Sequence, residues 1–116
     1  MDTIFALTTP EGKSGVAVIR VSGQMAFDCF KNFSCMPVES NKKGLRKLYI
    51  NDKLLDEALV LNFNKGQSFT GENTVEIQLH GSFAVIKACL NALGKFDGFR
   101  NANPGEFTKR AFENGR

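Results

Sequence analysis

"NTVEIQLHGSFAVIKACLNALGKF", Asn73 to Phe96, changes its hydrophobic period once, at its middle. Up to His80 the residues alternate. Val75, Ile77 and Leu79 face one way, and Thr74, Glu76, Gln78 and His80 face the other, as in a strand with one buried face. From Ser82 to Phe96 the spacing becomes helical. Phe83, Ile86, Leu90 and Leu93 mark a buried face, and Gly94 with Gly98 punctuates the exit.

Working outward, Thr3 to Thr9 reads as a first strand, "PEGKSG" (Pro10 to Gly15) as a turn-rich loop, and "VAVIRVSG" (Val16 to Gly23) as a second strand. Ser22 is expected to cap a helix from Gln24 to Phe33, with Ala26, Phe27, Phe30 and Phe33 as its apolar stripe. Residues 34–44 form a polar loop. "KLYIN", "DKLLDE" and "ALVLNF" follow as a hairpin turning near Asn51 and Asp52, and "NKGQSFTGE" (Asn64 to Glu72) is a longer loop. Downstream, "FRNAN" is extended and a last helix starts just after Pro104, where proline suits the first helical position. Its pairs Glu106–Arg110 and Lys109–Glu113 are four apart and support one helix face, and Glu106 and Arg116 suit the helix dipole. The predicted fold class is α+β, a mixed β-sheet with packed helices, in one domain over residues 1–116.

Composition narrows the function classes. The chain has 116 residues, is 42% hydrophobic and 23% charged, and carries a net charge of +3, too weak to argue nucleic-acid binding. The cluster Lys42, Lys43, Arg46 and Lys47 reads as a solvated loop and strand start. Eleven phenylalanines and no tryptophan predict a phenyl-rich core, with some rings free for an interface or a flat pocket. Cys29, Cys35 and Cys89 form no CxxC, and His80 is the sole histidine, so no metal site is predicted and a reducing, cytoplasmic setting fits. No signal-peptide pattern and no membrane-length apolar run is present.

"GKS" at Gly12 to Ser14 is not a phosphate loop: Leu7 stands where the first glycine belongs, and a strand follows it. Arg20 shares a strand face with Val16 and Val18. It needs a salt bridge, a place at a sheet rim or a polar pocket. Glu76 reads either as solvent-side decoration or as an acceptor for paired N–H donors on a flat heterocycle, such as a pterin or guanine edge. His80 reads as a turn or polar-network residue. No catalytic triad is indicated, and no catalytic residue is predicted.

Three segments, "DTIFALTTPEGKSGVAVIRVSG", "SFTGENTVEIQLHG" and "NPGEFTKRAFENGR", occur in an order and spacing that resemble the N-terminal domain of the tRNA-modification GTPase (MnmE, or TrmE) family over essentially the whole chain. The resemblance implies a fold similar to the tetrahydrofolate-binding domain of one-carbon enzymes. It implies a homodimer that binds a tetrahydrofolate one-carbon derivative (5-formyl- or methylene-tetrahydrofolate) near its interface. It further implies a longer protein, continuing past Arg116 into a helical domain and a potassium-dependent GTPase that uses GTP and Mg. With the flavoprotein MnmG (GidA), that protein modifies the 5-position of the wobble uridine in tRNA. The chain alone, lacking the GTPase domain, is expected to be inactive. By the same resemblance the folate contacts fall on Arg20, Glu76 and Arg116, where the family often has Lys at the last position, and Phe69 is a candidate pocket wall by position. Ser14 and Ser82 depart from glycines usual in the family. The competing readings are a folate-dependent aminomethyltransferase-like module and a ligand-free domain docking protein or tRNA.

Overall fold

The computed structural model describes residues 2–9, 15–80 and 82–116; the loop reading for Pro10 to Ser14, including "GKS" and the Ser14 departure, and the position of Gly81 lie outside them. The elements run β1 (Thr3–Leu7), β2 (Val16–Ser22), α1 (Asp28–Asn32), β3 (Lys43–Ile50), β4 (Lys53–Phe63), β5 (Thr74–His80), α2 (Phe83–Leu93), β6 (Phe99–Asn101) and α3 (Glu106–Glu113). The strands form a six-stranded sheet in the order β3-β4-β5-β2-β1-β6. Only the β1–β6 pair among them is parallel, so the sheet is mixed and the fold is α+β.

Alternation in β2 and β5 decides what each sheet face carries. Ile19, Val21, Val75, Ile77 and Leu79 join Phe5, Val60 and Leu48 in the main core, beneath Cys29 and Phe30 of α1 and Cys89 and Leu93 of α2. Residues of opposite parity, Val18, Arg20, Gln78 and Glu76, stand on the other face. There α3 and the loop 64–72 cover only part of the sheet. The hairpin between β3 and β4 turns at Asn51 and Asp52, as the sequence predicts. Both have positive φ, 50° and 66°, a conformation these two residue types tolerate better than most.

Three expectations need correction. The helix expected over Gln24 to Phe33 shrinks to α1, and residues 24–27 are turns. Ser22 does not cap it, because its hydroxyl is spent on Thr70 Oγ1 at 2.6 Å and on the Glu72 carboxylate at 2.8 Å. Phe83 is 64% exposed rather than buried. The stripe that α2 buries is Ile86, Cys89, Ala92 and Leu93, and Phe83 lies roughly 100° around the helix from its middle. Small side chains at Cys89 and Ala92 let the helix approach the sheet on a line that hydrophobicity alone does not pick out. Ser82, the second departure from the family pattern, is that helix's N-cap and accepts from the Val85 N–H at 3.4 Å.

The third correction concerns α3, which begins at Glu106 and not directly after Pro104. Pro104 and Gly105 make a turn, and the Glu106 side chain reaches back to the Asn103 N–H at 2.9 Å, satisfying a donor ahead of the helix. The phenylalanines divide as the composition predicts. Phe5, Phe30, Phe33 and Phe99 are buried, whereas Phe69, Phe83 and Phe112 are exposed. No helix among the described residues is long and apolar enough to cross a membrane.

Candidate functional site

Arg20 and Glu76 are cross-strand partners in the β2–β5 register. Arg20 Nε donates to Glu76 Oε2 at 3.1 Å, and the side chains are 20% and 19% exposed. This contact is the salt bridge that one reading of Arg20 required. Among the described residues it is also the only hydrogen bond made by that guanidinium, so both terminal nitrogens and Glu76 Oε1 remain unengaged. The half-buried pair thus presents donors beside an acceptor at the open sheet face. A flat heterocycle with adjacent N–H donors and a carbonyl matches such an edge.

Arg116 does not join the pair. Its Nη1 donates to the Gly66 carbonyl at 2.7 Å, and its aliphatic carbons lie beside Gly71. The loop carrying Gly66 and Gly71 also carries Phe69, whose ring centroid is 4.8 Å from the Arg20 guanidinium. Of the three residues picked out by the family resemblance, two are therefore in direct contact, and the third, beyond the end of α3, is bonded to the loop that leans over them. Sequence reasoning missed Phe107, whose ring centroid is 5.3 Å from the same guanidinium. Its only sequence signal is its place three residues after Pro104, on the first turn of a helix whose docking is set elsewhere.

Hydroxyls and a buried ion pair hold the loop. Ser68 and Thr70 point inward and are fully buried, and Thr70 meets Ser22 and accepts from the Glu72 N–H at 3.2 Å. Arg110, 4% exposed, donates from Nη1 to both Glu72 oxygens at 3.2 and 3.3 Å. The sequence shows Arg110 only as a helix-surface partner of Glu106, and that contact is present too at 3.5 Å. Among the described residues Lys109 and Glu113 make no such pair. Gly115, at φ 75°, ends α3 in the left-handed conformation. The Arg116 N–H reaches the Ala111 carbonyl and the Gly115 N–H that of Phe112, closing the helix as a Schellman turn. Asn114 Nδ2 then donates to the Thr70 carbonyl at 2.9 Å. At Gly71 a Cβ would come within 2.9 Å of Asn114 Cβ, so the loop and the helix end meet only because that residue is glycine.

A cavity of about 540 Å³ lies between this loop and α3 and is lined by Lys65, Glu72, Asn73, Arg110 and Asn114. Arg20 and Glu76 do not line it, and its buried charges already satisfy each other. The open pair is therefore the better ligand site on chemistry.

At the far end of α3, Arg100 binds both Glu106 oxygens, at 2.8 and 2.6 Å, and Asp2 at 2.9 Å. The Arg100 hydrogen bonds, with the Asn103 N–H, lower the Glu106 carboxyl from 4.5 to about 2. A depressed carboxyl contributes stability that is complete above its unfolded value and is lost as pH falls through the folded one. Urea unfolding of wild type and Glu106→Gln should therefore differ clearly at about pH 6, and the difference should shrink by about pH 3. An equal difference at both would disprove the ionic account.

His80 sits in a polar network, its backbone N–H and its Nδ1 both meeting Asp56, at 2.9 and 3.2 Å. Burial pushes the Cys89 thiol up to about 12 and also raises those of Cys29 and Cys35, so none is a ready nucleophile. Among the described residues no three His, Cys, Asp or Glu side chains group to hold a metal ion.

Residues 3–116 match the family model described as GTP-binding protein TrmE N-terminus. Curated relatives named tRNA modification GTPase MnmE include that of Cereibacter sphaeroides, 49% identical over 100% of this chain and 27% of its own length. That of Dinoroseobacter shibae is 51% identical with the same coverage, and that of Ehrlichia chaffeensis is 49% identical over 100% of this chain and 26% of its own. The chain thus spans about a quarter of the length of these relatives. A match along almost every residue, including the strand pair, the loop and the closing helix described above, means that the chain belongs to the TrmE N-terminal family.

Proposed function

We infer that this chain is the folate-binding, dimer-forming N-terminal part of a cytoplasmic GTPase that acts with the flavoprotein MnmG on the 5-position of the wobble uridine in tRNA. The observation that carries the ligand reading is the one-point Arg20–Glu76 pair, which leaves an acceptor and several donors side by side at a half-buried edge. In this reading Glu76 accepts the paired N–H donors of the pterin ring, and Arg20 donates to its carbonyl. Arg116 supplies charge to the carboxylate side after leaving Gly66. The one-carbon derivative is 5-formyl- or methylene-tetrahydrofolate. GTP, Mg and K belong to the remainder of a full-length protein, and the chain by itself carries out no hydrolysis.

Dimer formation is supported by the uncovered sheet face. Leu45 is 61% exposed there, with half-buried Leu59 beside it in the β3–β4 register and Val18 across β5. These apolar side chains adjoin the Arg20–Glu76 pair, so a second copy laid on them would close the open side of the ligand site.

Calorimetric titration of 5-formyltetrahydrofolate into wild type and Glu76→Ala tests the ligand reading. Removing one partner of a hydrogen-bonded charge set is expected to cost about 2–5 kcal/mol of binding, a loss of at least about thirtyfold in affinity. Equal binding by both proteins would remove Glu76 from the site. Sedimentation of the same samples reads the dimer, and a monomer at every concentration would count against it.

A further inference from the structure

We propose that Phe69 and Phe107 are the positioning residues of this site, fixing the Arg20 guanidinium so that its edge with Glu76 is formed before a ligand arrives. The proposal rests on the folate reading for its ligand and on geometry for its mechanism. A single hydrogen bond through Nε leaves an arginine free to swing about its remaining torsions. Two phenyl rings at 4.8 and 5.3 Å from the guanidinium carbon supply the missing restraint, since a cation is attracted to a ring face within about 6 Å.

Hydrophobic burial does not explain the place of Phe69. It is 52% exposed, while its neighbours Ser68 and Thr70 are buried and hydrogen-bonded. The loop is thus anchored on either side of a ring that it holds outside the core and against a charge. Phe107 comes from a separate element. It stands one residue after Glu106, whose bonds to Arg100 fix the first turn of α3, and three before Arg110, which ties the helix to the same loop through Glu72. Both rings therefore reach Arg20 from the two segments that the Glu72–Arg110 pair joins. This gives the loop and helix contacts a role at the site: they set the angle at which one guanidinium meets solvent.

The test uses Phe69→Leu and Phe107→Leu, which keep bulk and remove the ring, and Phe69→Tyr and Phe107→Tyr, which keep the ring. Two readouts are taken on the 116-residue chain. In ¹H–¹⁵N spectra without ligand, the Arg20 Nε–Hε signal is expected to be ring-shifted in wild type and the Tyr variants, and to move toward the free-arginine position in the Leu variants. Affinity for 5-formyltetrahydrofolate is expected to fall about threefold to tenfold in each Leu variant and to stay within about twofold in each Tyr variant. Leu variants that leave the signal and the affinity unchanged overturn the proposal. So does an affinity lost equally in Leu and Tyr variants while the signal stays in place, because ring bulk would then be the cause. A ring-dependent signal in a wild type that binds no folate upholds the positioning of Arg20 and overturns the folate reading alone. Phe69→Leu alters an exposed side chain, so it remains informative if Phe107→Leu fails to fold.

Discussion

Replacing Arg110 by alanine is expected to destabilise the protein by about 3–5 kcal/mol, the range for breaking a buried ion pair from one side. The guanidinium is nearly inaccessible and holds both oxygens of Glu72, whose Oε1 also accepts from Ser22. Without Arg110 the Glu72 carboxylate is left with the Ser22 hydroxyl as its partner in a largely buried setting, and the loop 64–72 loses its tie to α3. Against a usual total of about 5–15 kcal/mol the change is severe. Urea denaturation measures it. Replacing both partners by apolar residues, Arg110→Met with Glu72→Leu, should recover a good part of the loss, because no charge is stranded. A cost under about 1 kcal/mol for Arg110→Ala would mean that water reaches the pair.

The second large effect is expected at Phe33. Its ring is 1% exposed and meets Phe96 edge-on at 5.2 Å, and Phe96 meets Phe99 in the same manner at 5.5 Å. Edge-to-face rings gain from both apolar burial and quadrupole alignment. Phe33→Ala removes the first ring of the row and leaves a cavity beside Phe96, Leu48 and Val60, with an expected cost of about 3–5 kcal/mol. Thermal or urea unfolding reads the loss directly. A cost near that of an ordinary surface substitution would show that the surroundings collapse into the space.

The sequence makes the β5–α2 passage legible because both periods are clean and local. It makes Arg20 and Glu76 conspicuous, since charges inside apolar strands need an explanation. Their pairing is not legible, because it depends on β2 and β5 being neighbours across 56 positions in a sheet whose order the chain does not spell out. Arg110 is hidden for a different reason. Its helical partner Glu106 gives it a complete account as a surface residue, and its burial comes from a loop far away in the chain. The failed reading of Ser22 has the same origin. A serine before an apolar stripe is a good local cap, but Thr70 and Glu72 outbid the helix for its hydroxyl. Phe107 carries no signal beyond its place after Pro104 until the guanidinium it touches has been placed.

The parallel pair β1–β6 bears on how the chain acquires its structure. Thr3 pairs with Phe99 and Phe5 with Asn101, and Arg100 grips Asp2. During synthesis the hairpin β3–β4 can close as soon as it emerges, since its contacts are local. The first strand must wait: one of its edges stays unpaired until residues 99–101 have been made. Loop closure of that length is slow, and an open apolar edge invites wrong partners. Within these 116 residues the last pairings are therefore expected from the C-terminal third, where β6 seals the sheet and α3 then clasps the loop over Arg20.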